Sequence, residues 1–231
     1  MSKYKYNKMT YKLSPSSINL MLECPRCFWL QLVKKIKRPE GVFPSLPGGM
    51  DRIIKRHFDK FMEKGELPPE LRGEECASDG CRLFNDKAKL EIWRNARKGI
   101  QYKDKTTGIL IRGAVDNLLK KGKKLIVLDY KTRGYPLKEN THEHYQTQMD
   151  LYNFLLRKNG YETENYAYLL FYYPREITET GEVIFDTKLI KIPTDAKRGE
   201  KVFKKAIEIL KGPMPKPSEN CEFCKWIGRV K

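Results

Sequence analysis

The sequence predicts an α/β or an α+β fold that contains a mixed β-sheet. Two observations support this prediction. Apolar residues recur at helical spacing through much of residues 1–100, whereas residues 101–192 contain short β-branched and aromatic runs separated by turn residues. Helical and strand-like segments are then mixed along the chain, which is typical of both classes.

The first helix is marked by its capping residues. Ser14 is a favourable N-cap, and Pro15 suits the first helical position. Pro25 is expected to interrupt or restart this helix, and the basic run at residues 34–38 ends it. The other elements expected in this part are a Pro- and Gly-rich loop over residues 39–49, a helix over 50–64, a turn-rich stretch over 65–81 and a helix over 85–98.

Strand patterns dominate the middle of the chain. Residues 109–119 and 124–131 are apolar runs separated by Lys120-Lys121-Gly122-Lys123, which predicts a β-hairpin. The remaining predicted elements are a helix over 142–158, strands over 165–174 and 182–192, a helix over 198–211, and a Pro-rich spacer that leads to a cysteine-bearing tail.

Composition and charge indicate a globular protein with a polyanionic partner. The 231 residues are 40% hydrophobic and 11% aromatic, which excludes an intrinsically disordered chain. The formal net charge of +17 exceeds the ~2–8 that solubility requires, and nucleic acid is the commonest polyanion. The alternative is a thermophilic, Lys-rich composition, although Glu does not rise with Lys. Because the sequence has no long apolar run and no signal-peptide pattern, we expect a cytoplasmic protein with no membrane partner.

Two acids and a lysine interrupt the otherwise apolar hairpin. On a strand, Asp129 and Lys131 point to the same face because they are two residues apart. A loop of two or four residues places Asp116 opposite Val127 on that face, whereas a three-residue loop turns Asp116 away. Acids that converge in this way suit Mg²⁺ or Mn²⁺, which take oxygen ligands. The alternative is an ordinary strand end with a surface Asp and a solvated Lys.

The helix that follows the hairpin offers two more polar groups. Gln148 and Tyr152 are four residues apart and therefore share a helix face. Their amide and hydroxyl groups are suited to form hydrogen bonds either with the acid site or with a phosphate backbone. Tyr152 also fits an apolar stripe, so packing alone is an alternative role for it.

Four of the six cysteines form two CxxC pairs. Cys24 and Cys27 lie near one end of the sequence, and Cys221 and Cys224 lie near the other. Four thiolates of this kind bind either zinc or an iron–sulfur cluster. The alternative is two unrelated pairs. Cys76 and Cys81 lie in a turn-rich stretch, and we expect them to be incidental.

Five motifs, taken in chain order, resemble the PD-(D/E)XK nuclease superfamily and, within it, the RecB-like exonucleases, including the CRISPR-associated ones. The motifs are L-S-P-S-S-I with C-P-R-C-F-W-L, then G-A-V-D, L-D-Y-K-T, Q-M-D-L-Y and C-E-F-C-K-W, and they span residues 13–226. The resemblance implies an α/β fold with a restriction-endonuclease-like core, a central mixed β-sheet flanked by helices, and metal-dependent phosphodiester cleavage. It also implies one domain over 1–231, with a mainly helical part (1–100), a nuclease core (101–211) and a tail (212–231).

The resemblance assigns roles to individual residues. It implies that Asp116 and Asp129 are Mg²⁺ or Mn²⁺ ligands, that the Tyr130 carbonyl is a further ligand, and that Lys131 is the catalytic lysine. Gln148 and Tyr152 would then be the pair of helix residues that supports Lys131. Relatives often carry a metal-binding His four residues after a Gly, where this chain has Ile53 after Gly49. We expect His57, one turn later, to replace it. The alternatives are that Asp51 replaces this His or that the site lacks the ligand.

The resemblance also favours one joined cysteine site that clasps the two ends of the sequence. RecB-like relatives with a [4Fe–4S] cluster usually supply one N-terminal and three C-terminal cysteines, whereas this chain supplies two and two. The cluster is therefore only slightly favoured over Zn²⁺, and a structural role is expected.

The predicted function is a DNA exonuclease that acts on single strands or ends, in repair, recombination or CRISPR-type processing. A helicase or a recombination or CRISPR protein is the implied partner. The alternatives are a non-catalytic nucleic-acid-binding module and an RNA-directed nuclease. We expect a diffuse phosphate-binding surface, and we expect the aromatic residues of 166–173 to belong to the core. The candidate phosphate contacts are Lys34, Lys35, Lys37, Arg38 and Arg133.

Overall fold

The computed structural model describes residues 11–41 and 45–229, and it has the expected mixed α/β architecture. The strands are β1 (Lys12–Leu13), β2 (Arg82–Leu83), β3 (Ile100–Lys103), β4 (Leu110–Gly113), β5 (Asn117–Lys121), β6 (Lys124–Thr132), β7 (Tyr166–Ile177) and β8 (Val183–Pro193). The helices are α1 (Pro15–Glu23), α2 (Pro25–Trp29), α3 (Ser45–Lys64), α4 (Glu75–Ser78), α5 (Lys87–Arg94), α6 (Gln146–Lys158), α7 (Ala196–Lys211) and α8 (Glu222–Arg229). Shorter helical segments are the π-helix Leu30–Lys34 and the 3₁₀ helices Pro69–Leu71 and Thr141–Tyr145. Within the described residues, no helix is both long and apolar enough to cross a membrane.

The chain forms two compact units. The first unit combines the segments Met1–Glu40, Gln101–Arg112 and Lys201–Lys231, and the second combines Gly41–Ile100 and Gly113–Glu200. The division of one nuclease domain into residues 1–100, 101–211 and 212–231 stays a prediction.

The second unit is built on a five-stranded sheet. Its strand order is β2-β5-β6-β7-β8, in which β6 and β7 are parallel and the other neighbours are antiparallel. Parallel strands need a crossover connection, and α6 lies in the one between β6 and β7. The apolar face of α3 packs on the sheet through Ile54, Phe58 and Met62. Strand β6 is therefore central and almost entirely buried.

The first unit contains the three-stranded sheet β1-β4-β3, in which β1 and β4 are parallel. The predicted cap of α1 is confirmed: the Ser14 side chain accepts a hydrogen bond from the Ser17 backbone N–H, and the Ser17 side chain accepts one from the Ser14 backbone N–H. Helix α2 restarts at Pro25 as expected. The indole nitrogen of Trp29 donates to the Gly212 carbonyl at 3.2 Å, which joins distant segments of this unit.

The hairpin differs from the prediction in two respects. Residues 109–119 are not one strand, because the chain leaves the first sheet after β4 and enters the second sheet at β5. The turn consists of Gly122 and Lys123, with Gly122 at φ +58° as a two-residue turn of this kind requires, and Asn117 pairs with Leu128. The predicted pairing of Asp116 with Val127 is therefore wrong by two residues. An even shift preserves the face, so Asp116 stays on the side of Asp129.

Two helix boundaries also differ from the prediction. Helix α3 begins at Ser45, so part of the predicted loop at residues 39–49 is helical, and residues 42–44 lie outside the described residues. Pro47 is tolerated there because the first turn of a helix does not use its own backbone N–H groups. Helix α5 is shorter than the predicted 85–98, because Asp86 caps its start and the chain turns at Asn95.

Gly199 permits a close helix contact, and its replacement should destabilise the protein. A Cβ at this position would lie 2.5 Å from the Asp150 carbonyl oxygen and 3.0 Å from the Phe154 Cβ. We expect Gly199→Ala to lower the free energy of unfolding by about 2–4 kcal/mol, measured by urea denaturation. Gly49→Ala in α3 is the control, since no atom lies within 4 Å of its Cβ. The control should be neutral or stabilising by up to ~1 kcal/mol, and equal effects of the two changes would contradict this packing explanation.

Candidate functional site

The five residues predicted for the acid site come together in the second unit. Asp116 precedes β5, Asp129 and Lys131 lie on β6, and Gln148 and Tyr152 lie on α6. The Tyr130 backbone N–H donates to Asp116 Oδ2 at 2.9 Å, which fixes the Asp116 carboxylate beside β6. The Lys131 ammonium contacts Asp129 Oδ2 directly.

Gln148 and Tyr152 hold the acid and the lysine in place. The Gln148 side chain donates to Asp129 Oδ1 at 3.3 Å and to the Tyr152 hydroxyl at 2.8 Å, and its oxygen accepts from Lys131 Nζ at 3.2 Å. The Tyr152 hydroxyl donates to the Ala114 carbonyl at 2.6 Å. Gly113 makes room for this arrangement, since a Cβ there would lie 2.7 Å from the Tyr152 ring.

Asp129 is the most deeply buried acid of the site. Only 1% of it is exposed, and burial raises its pKa to about 7 against the opposing effect of the Lys131 charge. Burial by itself lowers the pKa of Lys131, but the Asp129 carboxylate outweighs it and the pKa of Lys131 is raised. The Lys131 ammonium also lies 4.5 Å from the centre of the Tyr145 ring.

Lys55 belongs to the same site, although the sequence analysis did not single it out. Its ammonium lies 2.8 Å from Asp51 and 2.9 Å from Asp116 Oδ1, and its side chain is only 20% exposed. Burial lowers the pKa of Lys55, but the Asp116 charge outweighs it and raises that pKa. The i, i+4 spacing of Asp51 and Lys55 on an amphipathic helix was the signal that could have revealed it.

His57 has a different environment from the one that the resemblance implies. Its Nε2 lies 3.0 Å from Glu70, which also accepts a hydrogen bond from the Tyr172 hydroxyl at 2.9 Å. Lys55 and His57 are two residues apart on α3, so they point to different faces of the helix. On α3, Lys55 contacts Asp116 and Asp51 contacts Lys55, whereas His57 contacts Glu70.

The four cysteines of the two CxxC pairs cluster in the first unit. Cys24 Sγ lies 3.9 Å from Cys224 Sγ, and Cys27 Sγ lies 3.6 Å from both Cys221 Sγ and Cys224 Sγ. All four sulfur atoms lie within 4.8 Å of one another. Burial raises the pKa of Cys24, but backbone N–H groups of Ser218 and Cys27 outweigh it and lower that pKa to about 6.

A family model described as the PD-(D/E)XK nuclease superfamily matches residues 12–229. The chain belongs to this superfamily. No curated protein matches it significantly. Among solved structures, the crystal structure of SSO0001 is similar over 95% of this chain and 84% of that chain, with 15% sequence identity and a TM-score of 0.45.

The acid site fits the divalent metal that PD-(D/E)XK nucleases use. Asp116 and Asp129 offer carboxylate oxygens, which Mg²⁺ and Mn²⁺ prefer as ligands. Within residues 11–41 and 45–229, no group donates a well-directed hydrogen bond to the buried Asp129 Oδ2, which meets only the Lys131 ammonium. A buried carboxylate oxygen that is balanced by a positive charge and not by a directed hydrogen bond suits a cation. The predicted roles of the Tyr130 carbonyl and of His57 as ligands stay predictions.

Lys55 should compete with a divalent metal in this PD-(D/E)XK site. Its ammonium lies between Asp51 and Asp116, so it repels a second cation held by Asp116. We expect Lys55→Met to tighten Mn²⁺ binding by roughly tenfold, measured by isothermal titration calorimetry. Lys55→Arg keeps the charge and is the control. Unchanged Mn²⁺ affinity in Lys55→Met would show that Lys55 does not compete.

The basic residues of the predicted phosphate-binding surface have varied surroundings. Lys34, Lys35 and Lys37 are exposed, and Arg133 is half-buried. Arg38 is tied to the cysteine cluster: its guanidinium donates to Glu23 at 2.6 Å and to Cys221 Sγ at 3.7 Å. Their role in binding nucleic acid stays a prediction. Of the aromatic residues of 166–173, Tyr168, Phe171 and Tyr172 are buried, as expected of core, whereas Tyr166 and Tyr173 are half-buried.

The charge of the chain is unevenly divided between the two units. In the described part of the first unit, residues 11–40, 101–112 and 201–229 contain 16 Lys and Arg and six Asp and Glu, a net charge of +10. The second unit contains 26 Lys and Arg and 23 Asp and Glu, a net charge of +3. The composition of the whole chain did not reveal that most of the excess positive charge lies in the first unit, which is the smaller one.

Proposed function

We propose that the protein is a Mg²⁺- or Mn²⁺-dependent DNA nuclease, and specifically an exonuclease that acts on single strands or ends. The observation that carries this proposal is the buried Asp129 with Lys131 beside it and Asp116 fixed next to both. The RecB-like motif order supports the exonuclease assignment. The same resemblance supports a cytoplasmic role in repair, recombination or CRISPR-type processing with a helicase or recombination partner.

Each polar side chain has a defined task in this mechanism. Asp116 and Asp129 would hold the divalent metal, which would supply an activated water and offset charge on the phosphoryl group. Lys131 stays protonated because Asp129 faces it, so it offers a fixed positive charge to the scissile phosphate. Gln148 orients both Asp129 and Lys131, and the Tyr152 hydroxyl fixes the amide plane of Gln148.

The charge distribution supports a nucleic-acid substrate. A net charge of +10 on the described part of the first unit suits the phosphate backbone, whose binding releases counterions. Binding should therefore weaken steeply as the salt concentration rises.

The decisive experiment is cleavage of end-labelled single- and double-stranded DNA, and of RNA of the same sequence, with Mg²⁺, Mn²⁺ or EDTA. We expect metal-dependent release of short products from a DNA end, and no cleavage in EDTA. Products of internal cleavage would replace the exonuclease assignment by an endonuclease, and faster cleavage of RNA would overturn the DNA assignment. Salt-sensitive binding without any cleavage would instead support a non-catalytic module of the same fold.

A further inference from the structure

We propose that the four clustered cysteines bind a single zinc ion and not a four-iron cluster. Zinc holds four thiolates in a tetrahedron with Zn–S bonds of about 2.3 Å, so neighbouring sulfur atoms lie about 3.8 Å apart. Three of the sulfur pairs here are separated by 3.6, 3.6 and 3.9 Å. The spacing of these sulfur atoms therefore matches the coordination sphere of one zinc ion.

A [4Fe–4S] cluster needs a wider set of sulfur atoms. Each of its four cysteines binds a different iron, which places the sulfur atoms about 6–7 Å apart. In this protein all four sulfur atoms lie within 4.8 Å of one another. A two-iron cluster is also too wide, because it would separate two cysteine pairs, whereas Cys27 lies equally close to Cys221 and Cys224. The iron–sulfur assignment that the resemblance favours does not fit this geometry.

The surroundings of the cluster suit a negatively charged four-thiolate site. A zinc ion with four thiolates has a net charge of −2, and the Arg38 guanidinium donates to Cys221 Sγ at 3.7 Å. The Arg38 guanidinium also lies 4.5 Å from the centre of the Phe223 ring, and Glu23 holds it in position. Polar groups of this kind around the ligands orient them and tune the metal site.

The position of the site indicates a structural role. Cys24 and Cys27 belong to the start of α2, whereas Cys221 and Cys224 belong to the start of α8, so the ion joins segments that are 194–200 residues apart. Four protein ligands leave no open position for water or substrate, as in structural zinc sites. The site is independent of the proposed nuclease chemistry, and its test does not depend on cleavage.

The test is the metal content of the full chain, purified without oxygen from cells supplied with both iron and zinc and then incubated anaerobically with iron and sulfide. We expect about one zinc per chain by mass spectrometry and no absorbance near 400 nm, the region in which iron–sulfur clusters absorb. Iron near four atoms per chain with that absorbance would overturn the proposal, and so would a chain with neither metal.

Two variants locate the bound ion. Cys24→Ser should reduce the zinc content from about one to below ~0.2 per chain, because three thiolates and a hydroxyl bind zinc less tightly. Cys76→Ser is the matched control, since Cys76 is equally buried but lies in the core of the second unit. Zinc loss from the control alone would overturn the assignment. If Cys24→Ser does not fold, the metal content of the wild type still decides between zinc and iron.

Discussion

Asp129→Asn should abolish both metal binding at the acid site and metal-dependent cleavage. The amide has nearly the same shape as the carboxylate, but it brings no charge to a position that is 1% exposed. Without this carboxylate, Asp116 alone remains of the two acids proposed to hold the metal. We expect cleavage to fall by at least ~10³-fold, because activation of water and charge stabilisation at the phosphoryl group both depend on the metal.

The measurement for Asp129→Asn combines two readouts. Mn²⁺ binding by calorimetry should become undetectable at the acid site, and single-turnover cleavage of labelled DNA should stop. Asp186→Asn is the matched control, because Asp186 is a more exposed acid on β8 that pairs with Arg175 at 2.8 Å. Cleavage by Asp129→Asn within tenfold of the wild type would exclude Asp129 as an essential ligand.

Lys131→Met should remove cleavage while it retains metal binding. The side chain of Lys131 is only 17% exposed, and its ammonium faces Asp129 and Gln148. Met keeps much of the volume and removes the charge. We expect cleavage to fall by ~10²–10⁴-fold, the range typical of lost charge stabilisation or proton transfer in a transition state. Mn²⁺ affinity should stay equal or increase, since a competing cation beside Asp129 is gone.

The contrast between the two variants tests their different roles. Calorimetry separates them, because Asp129→Asn should lose Mn²⁺ binding and Lys131→Met should not. Lys121→Met is the control for the second variant, since Lys121 forms a surface ion pair with Asp79 at 2.7 Å. If Lys131→Met loses Mn²⁺ binding as well, the lysine organises the site instead of serving the chemistry, and its proposed role is wrong.

Local patterns predicted the site because its residues lie on two adjacent strands and one helix. The two-residue spacing of Asp129 and Lys131 and the four-residue spacing of Gln148 and Tyr152 are sufficient to place each pair on one face. The predicted hairpin register was wrong because the turn begins at Gly122, which the spacing of apolar residues does not reveal. The register shift was even, so it did not change the prediction that Asp116 lies on the same face as Asp129.

Contacts between segments that are far apart along the chain could not be predicted from the sequence. Lys55 reaches Asp116 only because α3 packs across β6, and a helical pattern does not say which strand a helix will cover. His57 instead meets Glu70, which lies in a turn where no periodic pattern exists. The break between β4 and β5 was also missed, because an apolar run has the same sequence pattern whether it forms one strand or two.

The separation of the two cysteine pairs along the chain has a consequence for biosynthesis. Cys27 leaves the ribosome 194 residues before its neighbour Cys221. At ~5–20 residues per second, the N-terminal pair therefore waits roughly 10–40 s for the C-terminal pair. During this interval its thiols are open to oxidation and to other metals. Insertion of the proposed zinc ion should accordingly be a late step that follows synthesis of the C-terminal pair, and the yield of zinc-loaded protein should depend on the redox state and metal supply of the cell during synthesis.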